Sequence, residues 1–586
     1  MTSRRHGIAA IAFGSAAALL VAGCSGGGAA SPTAASSLAG GVPAKAGGTL
    51  YYLTDQAADH LDPQRTWIGR DIANETRMVY RTLTSYPVGS GKAGTKLVAD
   101  LATDTGTASD GGKRWRFTLK DGVKWQDGSD ITCADLKYGV SRTFATEVIT
   151  GGPRYALQFL GIPRDQRGRS AYKGPYVRDA ADQALFDKAV TCVAKTITFN
   201  LSKPIADFNQ VVSRPAFAPY KASLDKGDKS NFAVFSSGPY KLEGTWTHGS
   251  GGTFIRNASW SPGTDTIRRA LPDKIVITEG LNDVAIAQRL ISDQLTDRFA
   301  VTDRSIPPTL RPNVNVNPAM STRSENVQTP FVDYLVPNFT RMTNPLVRQA
   351  LAMSTNKSGW VAANGGTDAG TPAQSIIGPA VPGDQVFNAL HAPDAGDPSK
   401  SRALLAQAGV KVPYPITVTF SGGTPVIQKA VAALTAGWQA GGFAVTVKDT
   451  TDTNSDLIDS PASADTYDVT PASWAPAWPS ASSVIPPLFD SRVNLSATSN
   501  GWDYGYYKSD SVNRAIDAAY AMVDPTRAAQ MWGSIDQGLA RDVAYIPLRT
   551  QKSFLGWGSG VRGWVDNPAV FGYPDLASLG VDLTAK

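Results

Sequence analysis

The sequence predicts a mixed α/β chain of two or three domains, and three observations carry that reading. At 586 residues the chain exceeds what one hydrophobic core usually organises. Its apolar residues switch between a period of two, which marks half-buried strands, and a period near 3.6, which marks helix faces. Strands and helices mix without strict βαβ regularity, and no repeat of roughly 20–50 residues is present.

The first element is not part of a core. Arg4 and Arg5 precede an apolar run from Ile8 to Val21 that ends at Val21-Ala22-Gly23-Cys24. This reads as an export signal closing in a lipobox, where small residues fit the signal peptidase and the Cys24 thiol receives diacylglycerol. About 14 apolar residues are too few to cross a hydrocarbon core of ~30 Å, which argues against an uncleaved membrane anchor. Residues 1–23 are therefore expected as a signal peptide. Residues 24–46 are expected as a flexible tether, because Gly, Ala, Ser, Pro and Thr make up almost all of that segment and cannot bury a core. Ser3-Arg4-Arg5 also allows twin-arginine export, with the general secretory route as the default. An anchor, a tether and a long body imply a task outside the cell.

Gly89-Ser90-Gly91-Lys92-Ala93-Gly94 fits a G-x-G-x-x-G pattern. A phosphate loop needs a buried strand before it and a helix N-terminus after it, whereas Tyr86-Pro87 precedes this one, so it is read as an exposed turn. Trp115, Phe117 and Leu119 then alternate with Arg116, Thr118 and Lys120 as a half-buried strand, and Asp121-Gly122 supplies a turn. Val123 and Trp125 alternate again before Asp127-Gly128, and Thr132 with Asp135 makes a capping box for a helix carrying Leu136, Val140 and Phe144. Ile197, Phe199 and Leu201 form another strand. From Leu346 to Met353 a helix places Leu346, Ala350 and Met353 on one side and turns Arg348 and Gln349 outward. A second helix carries Ala403, Leu404, Leu405 and Ala408 and stops at Gly409. A strand through Ile416, Val418 and Phe420, a helix from about Val426 to Trp438 and a strand through Val445 and Val447 follow.

Composition narrows the function. The 56 basic residues become 54 once Arg4 and Arg5 leave with the signal, and against 50 acidic residues this lowers the net charge from +6 to +4. Over so long a chain that describes a solvated surface and no nucleic-acid partner. Four histidines, at 6, 60, 248 and 391, argue against a histidine-rich metal site, and neither H-E-x-x-H nor G-x-S-x-G is present. Of three cysteines, lipidation of Cys24 leaves Cys133 and Cys192, and in an oxidising compartment this even remainder suggests one disulfide, as against two separate buried thiols.

Several segments in order resemble the extracytoplasmic solute-binding proteins of ABC importers, in the family that takes oligopeptides, dipeptides and nickel complexes (solute-binding protein family 5). They are Leu97 to Ala102, Trp115 to Tyr138 (WRFTLKDGVKWQDGSDITCADLKY), Ser237 to Leu242, Arg256-Asn257, Pro345 to Leu351 and Leu404 to Gly409. The correspondence runs from about residue 46 to 580. The resemblance implies a two-lobed periplasmic-binding-protein-like fold (type II, cluster C) with an extra inserted domain. Lobe I would comprise 47–80, 215–320 and 535–586, the inserted domain II 81–214, and lobe III 321–534. It further implies a monomeric, non-enzymatic receptor that needs no cofactor or metal, closes around its ligand and hands it to permease subunits.

The family's ligand segment near the end of lobe III reads W-x-x-D followed by an aromatic, and its Asp pairs with a peptide's amino group. The matching stretch here is Ser473-Trp474-Ala475-Pro476-Ala477-Trp478. The aromatic positions persist, but Ala477 stands where Asp is expected. The resemblance thus makes Ser473, Trp474, Ala475 and Trp478 ligand-site candidates, with core packing the competing role of both tryptophans. Thr54 to Asp59 is similar to a family segment whose backbone meets the ligand, adding Asp55, Gln56 and Asp59, with Asp59 the first substitute partner for an amine. A peptide receptor is the leading expectation. An oligosaccharide receptor on the same scaffold is the alternative, and a secreted lipoprotein hydrolase the second.

Overall fold

The computed structural model describes residues 44–585, apart from 166–167, 178, 380, 422, 451–459 and 497–498. The signal segment, Cys24 and the tether as far as residue 43 lie outside the described residues. Among the described residues no helix is long and apolar enough to cross a membrane.

Strand β1 (Thr49–Leu53) and helix α1 (Gly69–Met78) open the body. The chain then leaves for a second sheet made of β2 (Thr107–Ser109), β3 (Arg114–Thr118), β4 (Val190–Val193) and β5 (Thr196–Asn200), antiparallel throughout in the order β2-β3-β5-β4. The period of two read in the sequence is realised here, since Trp115 and Phe117 are buried while Arg114, Arg116 and Thr118 are exposed. Gly122 and Gly128 adopt φ of 72° and 84° in the two tight turns that follow, a region that only glycine enters without strain. Helix α2 (Cys133–Arg142) starts at the expected capping box, with the Thr132 hydroxyl accepting from the Asp135 amide and the Asp135 carboxylate accepting from the Thr132 amide. Cys133 on this helix is joined to Cys192 on β4, with the two Cα atoms 5.9 Å apart. The bridge fastens helix to sheet within the largest buried apolar cluster, to which Cys133 belongs and against which Cys192 packs. The Gly89–Gly94 stretch contains one helical turn, Gly91–Gly94, where a plain turn was expected; Gly94 packs against the Gly89 carbonyl, and the rest is largely exposed.

Returning, the chain forms β6 (Tyr240–Thr247), β7 (Gly251–Arg256), β8 (Lys274–Thr278) and β9 (Ala300–Thr302), which complete the first sheet in the order β9-β1-β8-β7-β6. The third sheet has six strands. They are β10 (Ser324–Pro337), β11 (Gly370–Pro372), β12 (Tyr414–Phe420), β13 (Phe443–Asp449), β14 (Val469–Trp474) and β15 (Ile546–Gly556), in the order β11-β15-β10-β14-β12-β13. Helices α3 (Pro345–Ser354), α4 (Pro398–Gln407) and α5 (Pro425–Ala440) cover it, and α5 links the parallel neighbours β12 and β13. Helices α6 (Asp510–Ala521) and α7 (Pro525–Asp542) pair beside them.

Two expectations need correction. Residues 546–556 were assigned to lobe I, but β15 is hydrogen-bonded between β10 and β11 in the third sheet, where Leu335 pairs with Ile546 and both share a buried apolar cluster with Leu548. The return to the first sheet begins only at Trp557 and Gly558, whose amides bond Arg323 and Ala300 carbonyls. Arg348 was read as outward, yet it is buried: its guanidinium donates to the carbonyls of Met342, Thr343 and Asp542 and lies 4.0 Å over the Phe339 ring. The inward face of α3 is therefore Val347, Ala350 and Leu351, with Leu346 half-buried.

The first and second sheets are joined through buried ion pairs. Arg268 grips Asp100 with two nitrogens at 2.8 and 3.1 Å and Asp265 at 2.9 Å, while Arg81 Nε lies 2.8 Å from Asp100. A second cluster centres on Arg142 of α2, which holds Asp62 at 2.6 Å and Asp225 at 2.9 Å. Burial alone would push the Asp100 carboxyl up; Arg268 and then Arg81 outweigh it and hold the group below its ordinary value, and the same balance applies to Asp265. A depressed carboxyl pKa contributes stability that is present at neutral pH and lost as pH falls below the ordinary carboxylate range. Replacing Asp100 by Asn leaves the buried guanidinium groups of Arg81 and Arg268 to share the single carboxylate of Asp265, and should cost about 3–5 kcal/mol at pH 7. Denaturant unfolding of both proteins from pH 7 to pH 3 checks this, and the gap between them should narrow toward the acid end.

Candidate functional site

The segment after β14 forms one wall of a narrow pocket. Pro476, Ala477, Trp478 and Pro479 stand there with Pro379, Val381 and Pro330, the last from an irregular step in β10. Opposite are Pro568, Ala569 and Phe571, from the segment that follows the return to the first sheet, together with Thr95. Five of these residues are prolines, which offer rigid apolar surface and no N–H. Among the described residues no charged side chain lines the pocket. Its polar side-chain atoms are the Thr95 hydroxyl and the Trp478 Nε1, and the latter is already committed to Ser482 Oγ at 3.0 Å.

Three serines shape the wall. Ser483 Oγ donates to the carbonyls of Trp478 and Ser480, at 2.9 and 2.8 Å, and the Ser483 carbonyl accepts from Trp474 Nε1 at 3.0 Å. Ser480 Oγ shares a hydrogen bond with Ser482 Oγ at 2.9 Å, and Ser482 Oγ donates onward to Asp207 of the second-sheet region. Short hydroxyl side chains thus hold a proline-rich loop that has no ladder of its own. The same loop touches two regions of the chain far apart in sequence.

The candidates named from the sequence divide. Ala477 and Trp478 face the pocket. Trp478 is only 2% exposed, and its ring meets Tyr155 edge-on at 5.4 Å, so most of its surface serves packing and one edge is left for the pocket. Trp474 is half-buried at the end of β14, 5.1 Å from the Trp502 ring. Ser473 is exposed and accepts a hydrogen bond from Gln551 Nε2 at 3.1 Å, while Ala475 is half-buried; neither lines the pocket. Asp55 lies 3.0 Å from Arg304 Nε; burial raises its carboxyl pKa, and the Arg304 charge opposes that shift. Gln56 and Asp59 are exposed, and their carbonyls accept from Arg70 and Asn231. None of these three lines the pocket around Ala477. Sequence reasoning missed Pro330, Pro379, Val381 and Phe571, which come from separate segments and share no local pattern; the irregular proline within an otherwise apolar strand at 330 is the one signal that pointed there.

Comparison with known proteins places the chain. The pattern of bacterial extracellular solute-binding proteins, family 5 Middle, matches residues 96–495. The chain belongs to this family. Within family 5, the probable D,D-dipeptide-binding periplasmic protein of Escherichia coli (strain K12) is 24% identical over 525 residues, which cover 87% of this chain and 89% of that protein. The glutathione-binding protein of Salmonella typhi is 23% identical over 511 residues, 82% of this chain and 86% of its own. Among solved structures, clavulanic acid biosynthesis oligopeptide binding protein 2 superposes with a TM-score of 0.83 at 27% identity, covering 92% of this chain and 96% of that one. The periplasmic murein tripeptide binding protein in its unliganded open form gives a TM-score of 0.65 at 18% identity, over 92% and 98% of the two chains. The two-lobed fold expected from the sequence is thus the fold of this chain.

The burial of the two tryptophans separates their roles. Trp478→Ala should lower stability by about 3–5 kcal/mol, as for other buried large aromatics, and Trp474→Ala by clearly less. Urea unfolding followed by tryptophan fluorescence and far-UV circular dichroism checks the order.

Proposed function

We propose that the chain is a lipid-anchored receptor that captures peptides outside the cell and delivers them to an ABC permease. The observation that carries this reading is the pocket itself: residues following β14 in the third sheet form one wall, and residues from the final segment beside the first sheet form the other. A ligand in such a pocket is enclosed by both lobes at once, so binding and closure are one event. The names of the relatives support peptides as the ligand class, since one is a probable D,D-dipeptide binder and the other binds glutathione. Apolar, proline-rich walls tolerate varied side chains and leave recognition to the peptide's backbone and termini. A sugar's hydroxyls find few partners on such walls, which puts an oligosaccharide second. Thermal-shift screening of peptide and oligosaccharide pools tests the choice, because a ligand at 100 times its Kd stabilises by ~2.7 kcal/mol. Stabilisation by oligosaccharides alone would overturn it.

Anchoring at Cys24 belongs to the same reading and rests on the lipobox. Cys24→Ser should leave the body folded and abolish incorporation of labelled fatty acid, with the protein recovered in the soluble fraction. Equal labelling of both proteins would remove the anchor.

With Ala477 in place of an acid and no charged side chain among the described wall residues, a peptide's amino group gains no ion pair in this pocket. N-acetylation of a bound peptide should therefore cost less than tenfold in affinity, or ~1.4 kcal/mol. Loss of one partner of a buried charge pair costs about 2–5 kcal/mol. Calorimetry on a peptide and its acetylated form decides between them.

A further inference from the structure

Helix α1 turns a polar stripe toward the first sheet. Asp71, Asn74, Glu75 and Met78 fall at the i, i+3, i+4 and i+7 spacing of one helix face, all four are buried, and all four line one cavity. An inward helix face is normally apolar, so three polar residues on this one mark a place that serves something besides core packing. The sheet side contributes Tyr52 of β1, Trp246 of β6 and Glu279 just past β8. The cavity shares no lining residue with the pocket beside Ala477.

Tyr52, Asn74 and Trp246 are 0%, 7% and 9% exposed. Among the described residues none stands within hydrogen-bond distance of Tyr52 Oη, Asn74 Oδ1 or Trp246 Nε1, although the Asn74 amide acts on the tyrosine from farther off. The carboxylates on the wall are already engaged. Asp71 accepts from Arg70 Nε at 2.7 Å, the Thr66 hydroxyl lies 2.9 and 3.0 Å from the two Glu75 oxygens, and Glu279 accepts from the amides of Ala58 and Gly249 at 2.6 and 2.9 Å. An occupant therefore has to accept from an indole N–H, which only donates, and donate to an amide oxygen, which only accepts. A metal ion or an ammonium fails the first requirement, and an apolar group fails both. Burial raises the carboxyls of Glu75 and Glu279 above their ordinary range, which lessens the demand for a counter-cation. Water meets both requirements. The cavity gives the centre of a water-sized sphere about 20 Å³, and one water needs roughly 10–15 Å³ on that measure.

We propose that this cavity is a site for one ordered water, or two bonded to each other, clasped between α1 and the first sheet by Trp246 Nε1, Asn74 Oδ1 and Tyr52 Oη. Thr54 and Ala58 share its wall. Arg70 and Glu279, also on the wall, hold the stretch between them: Arg70 donates to the carbonyls of Gln56 and Ala57 at 3.4 and 3.1 Å, and Glu279 takes the Ala58 amide. The water and that stretch thus share their anchors.

The test counts long-lived waters in the full-length protein by water magnetic relaxation dispersion, on wild type, Asn74→Leu and Ala58→Val, and locates them in a crystal structure of wild type. Both substitutions fill the space with side-chain carbon. Wild type should hold one or two long-lived waters more than either variant, with density at hydrogen-bond distance from Trp246 Nε1 and Asn74 Oδ1. An equal count in wild type and variants, or no density at those atoms, overturns the assignment. If one variant does not fold the other decides, and if neither folds the crystal structure does. The wild-type Tm is also compared in equal concentrations of sodium, potassium, ammonium and choline chloride, and should not depend on the cation. A rise specific to one cation that Glu75→Gln abolishes would overturn the water and assign the cavity to that ion.

Discussion

Two buried guanidinium clusters decide how the parts of this molecule are assembled. One joins Arg81 and Arg268 to Asp100 and Asp265; the other joins Arg142 to Asp62 and Asp225. Each cluster takes residues from both sides of the junction between the first and second sheets. Ion pairs of this kind are weak as a source of net stability, since desolvation offsets most of their attraction, but they are severe about geometry: a carboxylate displaced by a few ångströms leaves a bare charge in the interior. The second-sheet region is thereby fixed on the first. With that junction rigid, Tyr155 and Asp207 are carried to defined positions against the loop at 476–483.

The third sheet meets this rigid pair differently. Its contacts with the second-sheet region share one apolar core, with Tyr155 edge-on to Trp478 at 5.4 Å and Phe159 edge-on to Tyr520 at 6.0 Å, beside the Ser482 to Asp207 hydrogen bond and the partly exposed Lys203 to Asp517 ion pair at 2.9 Å. The exposed ion pair is worth little by itself, and most of the contact is apolar burial.

Much of the fold was legible because its signals are local. The alternation around Trp115, the capping box at Thr132 and the strand, helix and strand from Ile416 to Val447 each lie within a few residues of one another, and each appears where the spacing puts it. Family membership was legible for the same reason, through segments in fixed order. What could not be read depends on partners distant in sequence. β15 joins the third sheet because β10 and β11 accept it, and nothing within 546–556 names those partners. Arg348 looks like a surface residue until three carbonyls and the Phe339 ring are brought to it. The pocket is assembled from prolines in four separate stretches, and residues near Asp55 that resemble a ligand segment settle among their own ion pairs instead.

The long pair β10 and β15 has a mechanical meaning. Ser324 pairs with Gly556 at one end and Leu335 with Ile546 at the other, so the ribbon begins beside the first sheet and runs into the third, with its register shifting between Gln328 and Val332. A two-stranded ribbon resists shear along its ladder and stretching along its length, while it flexes readily out of its own plane. Where the ladder is broken by the shift, that compliance is greatest. A relative movement of the two lobes is thereby reduced to a swing about one line, with sliding and unscrewing suppressed. Pro330 stands in that break and also on the pocket wall.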